Sequence, residues 1–241
     1  MTPPTGRLYA VPNLLGVVAP ERVLPAHTIE TARRLTRYVV ENAKPARAFL
    51  RALALKVPIR EIAIVELGSH PDRARCDELL APARGGVDIG LLSDAGCPGI
   101  ADPGALLVEA AHAQGITVVP LVGPSSIVLA LMASGMNGQG FAFHGYLPVK
   151  PAARAEAIAA LEDGSRRSGQ AQIFIETPYR NGAMLEVIVA ACKPSTRLCV
   201  AADLTLPTES VVSRPIREWR PADGARYAKR PAIFILQALV K

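Results

Sequence analysis

The chain has 241 residues, half of them hydrophobic and a fifth charged, and its formal net charge is +6. This composition describes a folded globular protein, large enough for one domain or two modest ones, and it excludes a disordered chain. Aromatic residues make up only 5%, which argues against a surface on which successive nucleic-acid bases stack.

The first part of the chain alternates short apolar segments with helical ones. Strands are predicted at 7–11, 37–41, 62–67, 87–93 and 116–121, and helices at 28–36, 45–55, 71–84, 104–115 and 125–134. Strands that alternate with helices of this length are typical of βαβ units and a parallel sheet.

A cluster of turn residues at 135–140 predicts a linker between two α/β domains, 1–136 and 137–241. After it the pattern predicts strands at 141–146, 171–176, 196–202, near 209–213 and 232–238, helices at 151–163 and 180–191, and a polar turn at 164–170. The last strands have no helices between them, so we expect a mixed sheet in this second domain.

The positive charge is uneven along the sequence. Positions 22–60 hold nine Lys or Arg residues against two acidic ones, and positions 150–241 hold fourteen against nine. A basic excess favours a polyanionic partner such as RNA, although Arg-rich helix faces are about as often simply solvated.

Two further patterns limit the class of protein. The four cysteines form no Cys-x-x-Cys pair and lie at no metal-ligand spacing from a histidine, so we expect neither a metal site nor a disulfide framework. No apolar run reaches 18 residues and the amino terminus lacks a signal-peptide pattern, so we expect a cytoplasmic protein without a membrane span.

The strongest motif is Ser-Asp-Ala-Gly-Cys-Pro-Gly-Ile-Ala-Asp-Pro-Gly at 93–104, between a buried strand and a helix. Loops at the carboxyl edge of a parallel sheet are where α/β proteins bind ligands. Its three glycines would let backbone amides approach a ligand, and its two prolines would stiffen the turn. Asp102 is also well placed to cap the following helix.

This segment resembles the S-D-A-G-T-P-x-I-S-D-P-G signature of the tetrapyrrole methylase superfamily, and more narrowly its ribosomal RNA small-subunit methyltransferase I branch, which methylates a ribose 2′-hydroxyl. Other segments are similar to that branch in the same order along the chain. They are Val118–Ser126 (V-x-P-L-P-G-P-S-A in the branch), Ala133-Ser134-Gly135 (A-S-G), Phe143–Pro148 (F-x-G-F-L-P), Glu176–Arg180 (E-S-P-H-R) and Ala202–Thr205 (R-E-L-T).

The resemblance implies a two-domain fold with a parallel amino-terminal sheet, a mixed carboxy-terminal sheet and a cleft between the domains that holds S-adenosylmethionine (SAM). It also implies RNA of the 30S subunit as substrate and a homodimer. The cofactor-binding positions that it implies are Pro12, Asp94, Ala95, Gly96, Ile100, Ala101, Ser125, Ser126, Tyr179, Leu206 and Ala232. The substrate-binding positions are Lys44, Lys150, Arg154 and Arg180.

One segment departs from the branch. Where relatives carry A-E-D-T-R, this chain has Val40-Glu41-Asn42-Ala43-Lys44. After its first strand it has Ala10-Val11-Pro12-Asn13-Leu14-Leu15-Gly16 in place of P-T-P-I-G-N. The Asp of the branch has become Asn and its Arg has become Lys, which indicates a different substrate or reduced activity if that pair positions the RNA or the reacting hydroxyl. A drifted loop without consequence is the alternative explanation. Three functions stay open: an RNA 2′-O-methyltransferase, a small-molecule methylase acting on a tetrapyrrole-like substrate, and a non-catalytic SAM- or RNA-binding paralogue.

Methyl transfer to a hydroxyl also needs a group that takes the proton. The sequence singles out no base for this step. The resemblance suggests Glu176 and Lys150 as candidates, because their family positions lie near the cleft. The alternative for Glu176 is that it is a buried structural acid at the end of a strand.

Overall fold

The computed structural model describes residues 5–239, and the chain divides into two compact units, the first ending at Ser125 and the second beginning at Ser126. Within residues 5–239 no helix combines the length and apolar character needed to cross a membrane.

The first unit is a five-stranded parallel sheet with helices between its strands. Its elements are β1 (Leu8–Val11), α1 (Ala26–Arg34), β2 (Arg37–Val40), α2 (Ala43–Ala52), β3 (Ala63–Glu66), α3 (Arg73–Arg84), β4 (Ile89–Leu92), α4 (Gly104–Ala113) and β5 (Val118–Pro120). The strands lie in the order β3-β2-β4-β1-β5, and each neighbouring pair is parallel. The predicted parallel sheet is therefore confirmed.

Both faces of this sheet are covered, which explains why β1 and β4 carry no charged residue along their whole length. Successive side chains of a strand point to opposite faces, so Tyr38 and Val40 pack with α2 residues such as Phe49, while Val39 packs with Leu79 on the other face. Each such buried side chain stabilises the fold by about 1.5–3 kcal/mol before the entropy cost of ordering it.

The second unit contains α5 (Ser126–Ser134), β6 (Phe141–Tyr146), α6 (Pro151–Ser168), β7 (Ala171–Ile175), α7 (Asn181–Ala191), β8 (Arg197–Ala202), β9 (Ser210–Pro215) and β10 (Ala232–Gln237). Its sheet has the order β6-β7-β10-β8-β9. β6 and β7 are parallel, and the remaining pairs are antiparallel. The predicted mixed sheet is confirmed.

Helix α5 marks a difference from the sequence-based domain boundary. The sequence places this helix in the first domain, whereas in the structure it packs against β8, β9 and β10 and opens the second unit. The hydroxyl of Ser213 on β9 donates to the carbonyl of Ser134 at the end of α5 (2.6 Å). An apolar helix belongs to the domain whose sheet buries it, and the local sequence of the helix does not indicate which sheet that is.

The predicted turn at 164–170 is a second difference, because α6 continues through it to Ser168. Arg166 pairs with Glu162 (3.2 Å) and Asp163 (2.9 Å) one turn earlier, which supports the last turns of the helix. Gly169, with φ of 71°, supplies the left-handed residue that ends it.

Candidate functional site

The first unit has a topological switch point at its centre. From β1 the chain crosses over β4 to reach β2, and from β4 it crosses over β1 to reach β5. Connections that leave two adjacent strands in opposite directions place their helices on opposite faces, which opens a crevice at the carboxyl ends. The loops after β1 and β4 border that crevice.

Asn13 joins these two loops. Its backbone amide donates to the carbonyl of Gly96 (2.8 Å), and its side-chain Nδ2 donates to the carbonyls of Ser93 and Asp94 (both 2.9 Å). Its Oδ1 accepts from the amide of Leu14 (2.8 Å). The side chain is almost fully buried, so these contacts fix the path of the motif loop at its first turn.

Asp94 is held from the loop that follows β2. Its amide donates to Oε2 of Glu41 (3.0 Å), and its Oδ2 accepts from Nδ2 of Asn42 (2.7 Å). Its other oxygen, Oδ1, is buried and has no hydrogen-bond partner among the described residues. A buried carboxylate oxygen without a donor is costly, which makes Oδ1 the acceptor that a ligand would satisfy.

Asp102 braces the second half of the loop from inside. Its carboxylate accepts from the amides of Gly99 (2.9 Å) and Gly104 (2.7 Å), so it caps the start of α4 from the position before Pro103. This agrees with the capping role expected from the sequence. The same contacts revise the role of the glycines, because these two amides are used within the loop and are not left for a ligand.

The glycines are required by the path of the loop itself. Gly96 and Gly99 have φ of +70° and +84°, a region that side-chain-bearing residues rarely adopt. A Cβ on Gly104 would lie 2.7 Å from Oδ1 of Asp102 and 3.1 Å from the amide nitrogen of Gly99. The compact loop therefore tolerates no side chain at these positions.

Three carboxyl groups act on one another around this loop. Burial is the largest cause of the raised pKa of Glu41. The hydrogen bond from the Asp94 amide lowers this pKa, and the charges of Asp94 and Asp102 raise it further. Burial also raises the pKa of Asp102, and its amide hydrogen bonds partly offset the effect. An acidic site of this kind favours a ligand with hydrogen-bond donors or positive charge.

Comparison with known proteins identifies a family that the chain resembles. The model of the family described as Tetrapyrrole (Corrin/Porphyrin) Methylases matches residues 17–219. The chain belongs to the tetrapyrrole methylase family.

Relatives and solved structures extend the match. Proteins named Ribosomal RNA small subunit methyltransferase I are 32% identical in Escherichia coli O157:H7 (88% of this chain and 70% of that protein) and 30% identical in Haemophilus influenzae (100% and 82%). The methyltransferase CobJ shares the fold with a TM-score of 0.64 at 17% identity, over 97% of this chain and 95% of that one. Uroporphyrin-III C-methyl transferase from Thermus thermophilus, in a structure complexed with S-adenyl homocysteine, has a TM-score of 0.54 at 16% identity, over 96% and 97%.

The remaining expected cofactor positions of this tetrapyrrole methylase fall into two groups. In the first unit, Ala95, Ile100 and Ala101 are exposed on the motif loop, and Ala101 has a strained φ of 63°. Pro12 is buried, and its ring occupies the space that a side chain at Gly123 would need.

Ser125 and Ser126 are half-buried, and Ser126 is the first residue of α5. In the second unit, Tyr179 is 82% exposed, Leu206 is half-buried after β8, and Ala232 is buried at the start of β10. Their cofactor contacts stay predictions.

Glu176 is buried within an ion-pair network of the second unit. Oε1 accepts from Arg180 (2.6 Å) and from the Thr177 amide (2.6 Å), and Oε2 lies 3.6 Å from Arg154. Burial tends to raise the pKa of this carboxyl, but the hydrogen bonds from Arg180 and Thr177 and the charge of Arg154 outweigh it, so the pKa is lowered. This arrangement corresponds to the structural acid that the sequence left as an alternative.

The four expected substrate positions differ in exposure. Lys44 is exposed in the first turn of α2, Lys150 is exposed at the position before α6, and Arg180 is half-buried. Arg154 is only 3% exposed, and its guanidinium donates to the carbonyls of Pro148 and Val149. We therefore revise the interpretation of Arg154, whose contacts hold the 148–149 segment and leave little surface for a substrate.

Three residues that contact the motif loop were absent from the expected site. Asn13, Glu41 and Asn42 all follow the carboxyl ends of parallel strands that flank or adjoin β4. Their positions directly after predicted parallel strands are the signal in the sequence that could have identified them as site residues. Asn42, where this chain departs from the branch, donates from its side-chain Nδ2 to Oδ2 of Asp94.

Proposed function

We propose that this protein is a SAM-dependent methyltransferase whose first unit binds SAM at the carboxyl edge of its sheet. The observation that carries the proposal is the buried, unpartnered Oδ1 of Asp94, at the switch point and on a loop fixed by Asn13 and Asp102. SAM fits this site chemically, because its hydroxyl and amino groups supply donors and its sulfonium is cationic.

We propose RNA of the small ribosomal subunit as the methyl acceptor, with a ribose 2′-hydroxyl as the reacting group. The names of the relatives at about 30% identity support this choice, and so does the basic excess at positions 22–60. The cytoplasmic location and the homodimer expected from the sequence stay predictions.

Bound SAM supplies a methyl group already activated for in-line displacement, so the protein contributes mainly alignment. Asp94 would orient the donor through Oδ1 while Asn42 holds Oδ2. Glu41 is the better candidate for taking the hydroxyl proton, because its raised pKa brings it nearer to the working pH and its carboxylate contacts the motif loop directly. Glu176 is not retained for this step, because its pKa is lowered and Arg180 engages it.

The cofactor site is tested by Asp94→Asn. We expect the Kd for SAM, measured by calorimetry, to rise tenfold or more, since a hydrogen bond to a charged group contributes about 1.5–3 kcal/mol. Asp163→Asn is the matched control, because Asp163 is exposed and pairs only with a surface arginine of α6. Equal SAM affinity of D94N and the parent would refute the site.

The acceptor is tested by incubating the parent protein with methyl-labelled SAM and either 30S subunits or uroporphyrinogen. We expect label in the RNA, mapped to a ribose by nuclease digestion and mass spectrometry. Label in the tetrapyrrole alone would establish the small-molecule alternative. SAM binding without transfer to either acceptor would favour the non-catalytic paralogue.

A further inference from the structure

The first unit contains a second feature that SAM binding does not explain. A groove of about 340 Å³ lies between α2 and the segment that leads into β3. Its lining consists of three isoleucines and three arginines, namely Ile59, Ile62, Ile64, Arg47, Arg51 and Arg60. The arginines are exposed, whereas Ile62 is buried, so the groove has an apolar floor and cationic walls.

The basic wall is one face of a helix. Lys44, Arg47 and Arg51 are spaced by three and four residues along α2, which places them on one side. Ala46, Phe49 and Leu50 face the core from the opposite side. The helix carries no acidic residue, and Arg47 and Arg51 are separated by about 6 Å along its axis.

The three arginines of the groove, Arg47, Arg51 and Arg60, are not engaged in ion pairs in the part of the chain that the structure describes. Several like charges around one groove repel each other, so an anion that enters it is attracted by all three. Planar guanidinium groups suit phosphate oxygens, which they can bind with two parallel hydrogen bonds.

The groove is also connected to the SAM loop through α2. The residue before this helix, Asn42, donates to Asp94, and Glu66 at the end of β3 accepts from the first amide of α2, Ala43 (2.8 Å). The basic face therefore begins at the proposed methyl-donor site and runs away from it toward Arg60. A strand whose ribose reached the loop could continue along this face.

We propose that this groove binds the phosphodiester backbone of the RNA acceptor beside the methylated nucleotide, an assignment that rests on the proposed function. The guanidinium groups would contact phosphates, and the isoleucine floor would pack against an unstacked base or sugar. RNA is favoured over an acidic protein because single-stranded RNA combines regularly spaced phosphates with exposed apolar faces.

The test measures the salt dependence of RNA binding by the triple variant R47Q/R51Q/R60Q. The probe is a fluorescein-labelled 20-nucleotide single-stranded RNA, with 30S subunits as substrate in a parallel assay. For single-stranded RNA, the negative slope of log K against log salt becomes less steep by about 2 when three phosphate contacts are lost. A fourfold rise in salt then costs the parent about 20-fold more affinity than it costs the variant.

The matched control is R7Q/R217Q/R226Q, which removes the same charge at three exposed arginines that lie outside both the groove and the basic stretch 22–60. We expect the control to keep the parent's slope, and both variants to keep its SAM affinity. The groove variant should also raise KM for 30S subunits without lowering kcat.

A second groove variant with lysine at all three positions separates charge from structure, because it should retain most of the salt slope. Equal slopes for the groove and control triples overturn the groove assignment alone. A parent protein that binds no RNA overturns it together with the proposed function. Loss of binding to a poly-glutamate peptide, with RNA binding unchanged, would show that the groove serves an acidic protein and would also overturn it.

Discussion

Replacement of Asn13 by alanine tests whether the motif loop is held by the loop after β1. The substitution removes two hydrogen bonds donated to the Ser93 and Asp94 carbonyls and one accepted from the Leu14 amide. At about 1 kcal/mol for each buried hydrogen bond, N13A should lower the free energy of unfolding by about 2–3 kcal/mol. Chemical denaturation followed by circular dichroism measures this loss directly.

The same variant should weaken SAM binding. The Asp94 side chain would remain, but the hydrogen bond from Asn13 that orients its backbone would be lost. We therefore expect the Kd for SAM to rise about tenfold, which is the typical effect of removing a residue that orients a ligand-binding group. Calorimetry on folded N13A at low temperature separates this effect from unfolding. Unchanged stability and unchanged SAM affinity would refute the reasoning.

Asn13→Asp adds a pH dependence whose sign is fixed by the structure. The introduced carboxylate would face two carbonyl oxygens, so its pKa in the folded state should lie above the unfolded value of about 3.9. The protonated form is then the one that the fold favours, and the stability of N13D should fall as pH rises above about 4. A stability difference from N13A that does not change between pH 3.5 and 7 would contradict this.

Two further predictions concern packing and buried charge. G104A should destabilise the first unit by about 1–3 kcal/mol, because its Cβ would displace the Asp102 brace, whereas G164A in α6, where a Cβ meets nothing within 4 Å, should stabilise the helix by about 0.5–1 kcal/mol. Opposite shifts in urea midpoint check this pair. E176Q should cost about 3 kcal/mol at pH 7, since it leaves the buried Arg154 without its counter-charge. Because the pKa of Glu176 is lowered, its carboxylate stabilises the fold above pH 4.5, and that contribution is lost as pH falls through the lowered value. The free energies of unfolding of the parent and E176Q should therefore converge in acid. A difference between them that does not change with pH would contradict this.

The order of elements could be predicted well because each strand and helix carries its own pattern. The apolar run before the motif loop became β4, and the segment 141–146 became β6 with the predicted bounds. The end of α6 could not be read in the same way. Ion pairs from Arg166 to the preceding turn extended the helix through residues that resemble a turn.

By itself, the sequence determined the alternation of strands and helices, the parallel and mixed sheets, the family and the motif loop, because these depend on local periodicity and on contiguous residues. Tertiary structure alone decided that Asn13, Glu41 and Asn42 converge on Asp94, since residues up to 81 positions apart meet there only when parallel strands align their carboxyl ends. It also decided that Asp102 braces the loop by accepting from the amides of Gly99 and Gly104, and that Glu176 is a buried ion-pair partner. Hydrogen bonds and burial depend on which chain segments become neighbours, and a linear pattern does not contain that information.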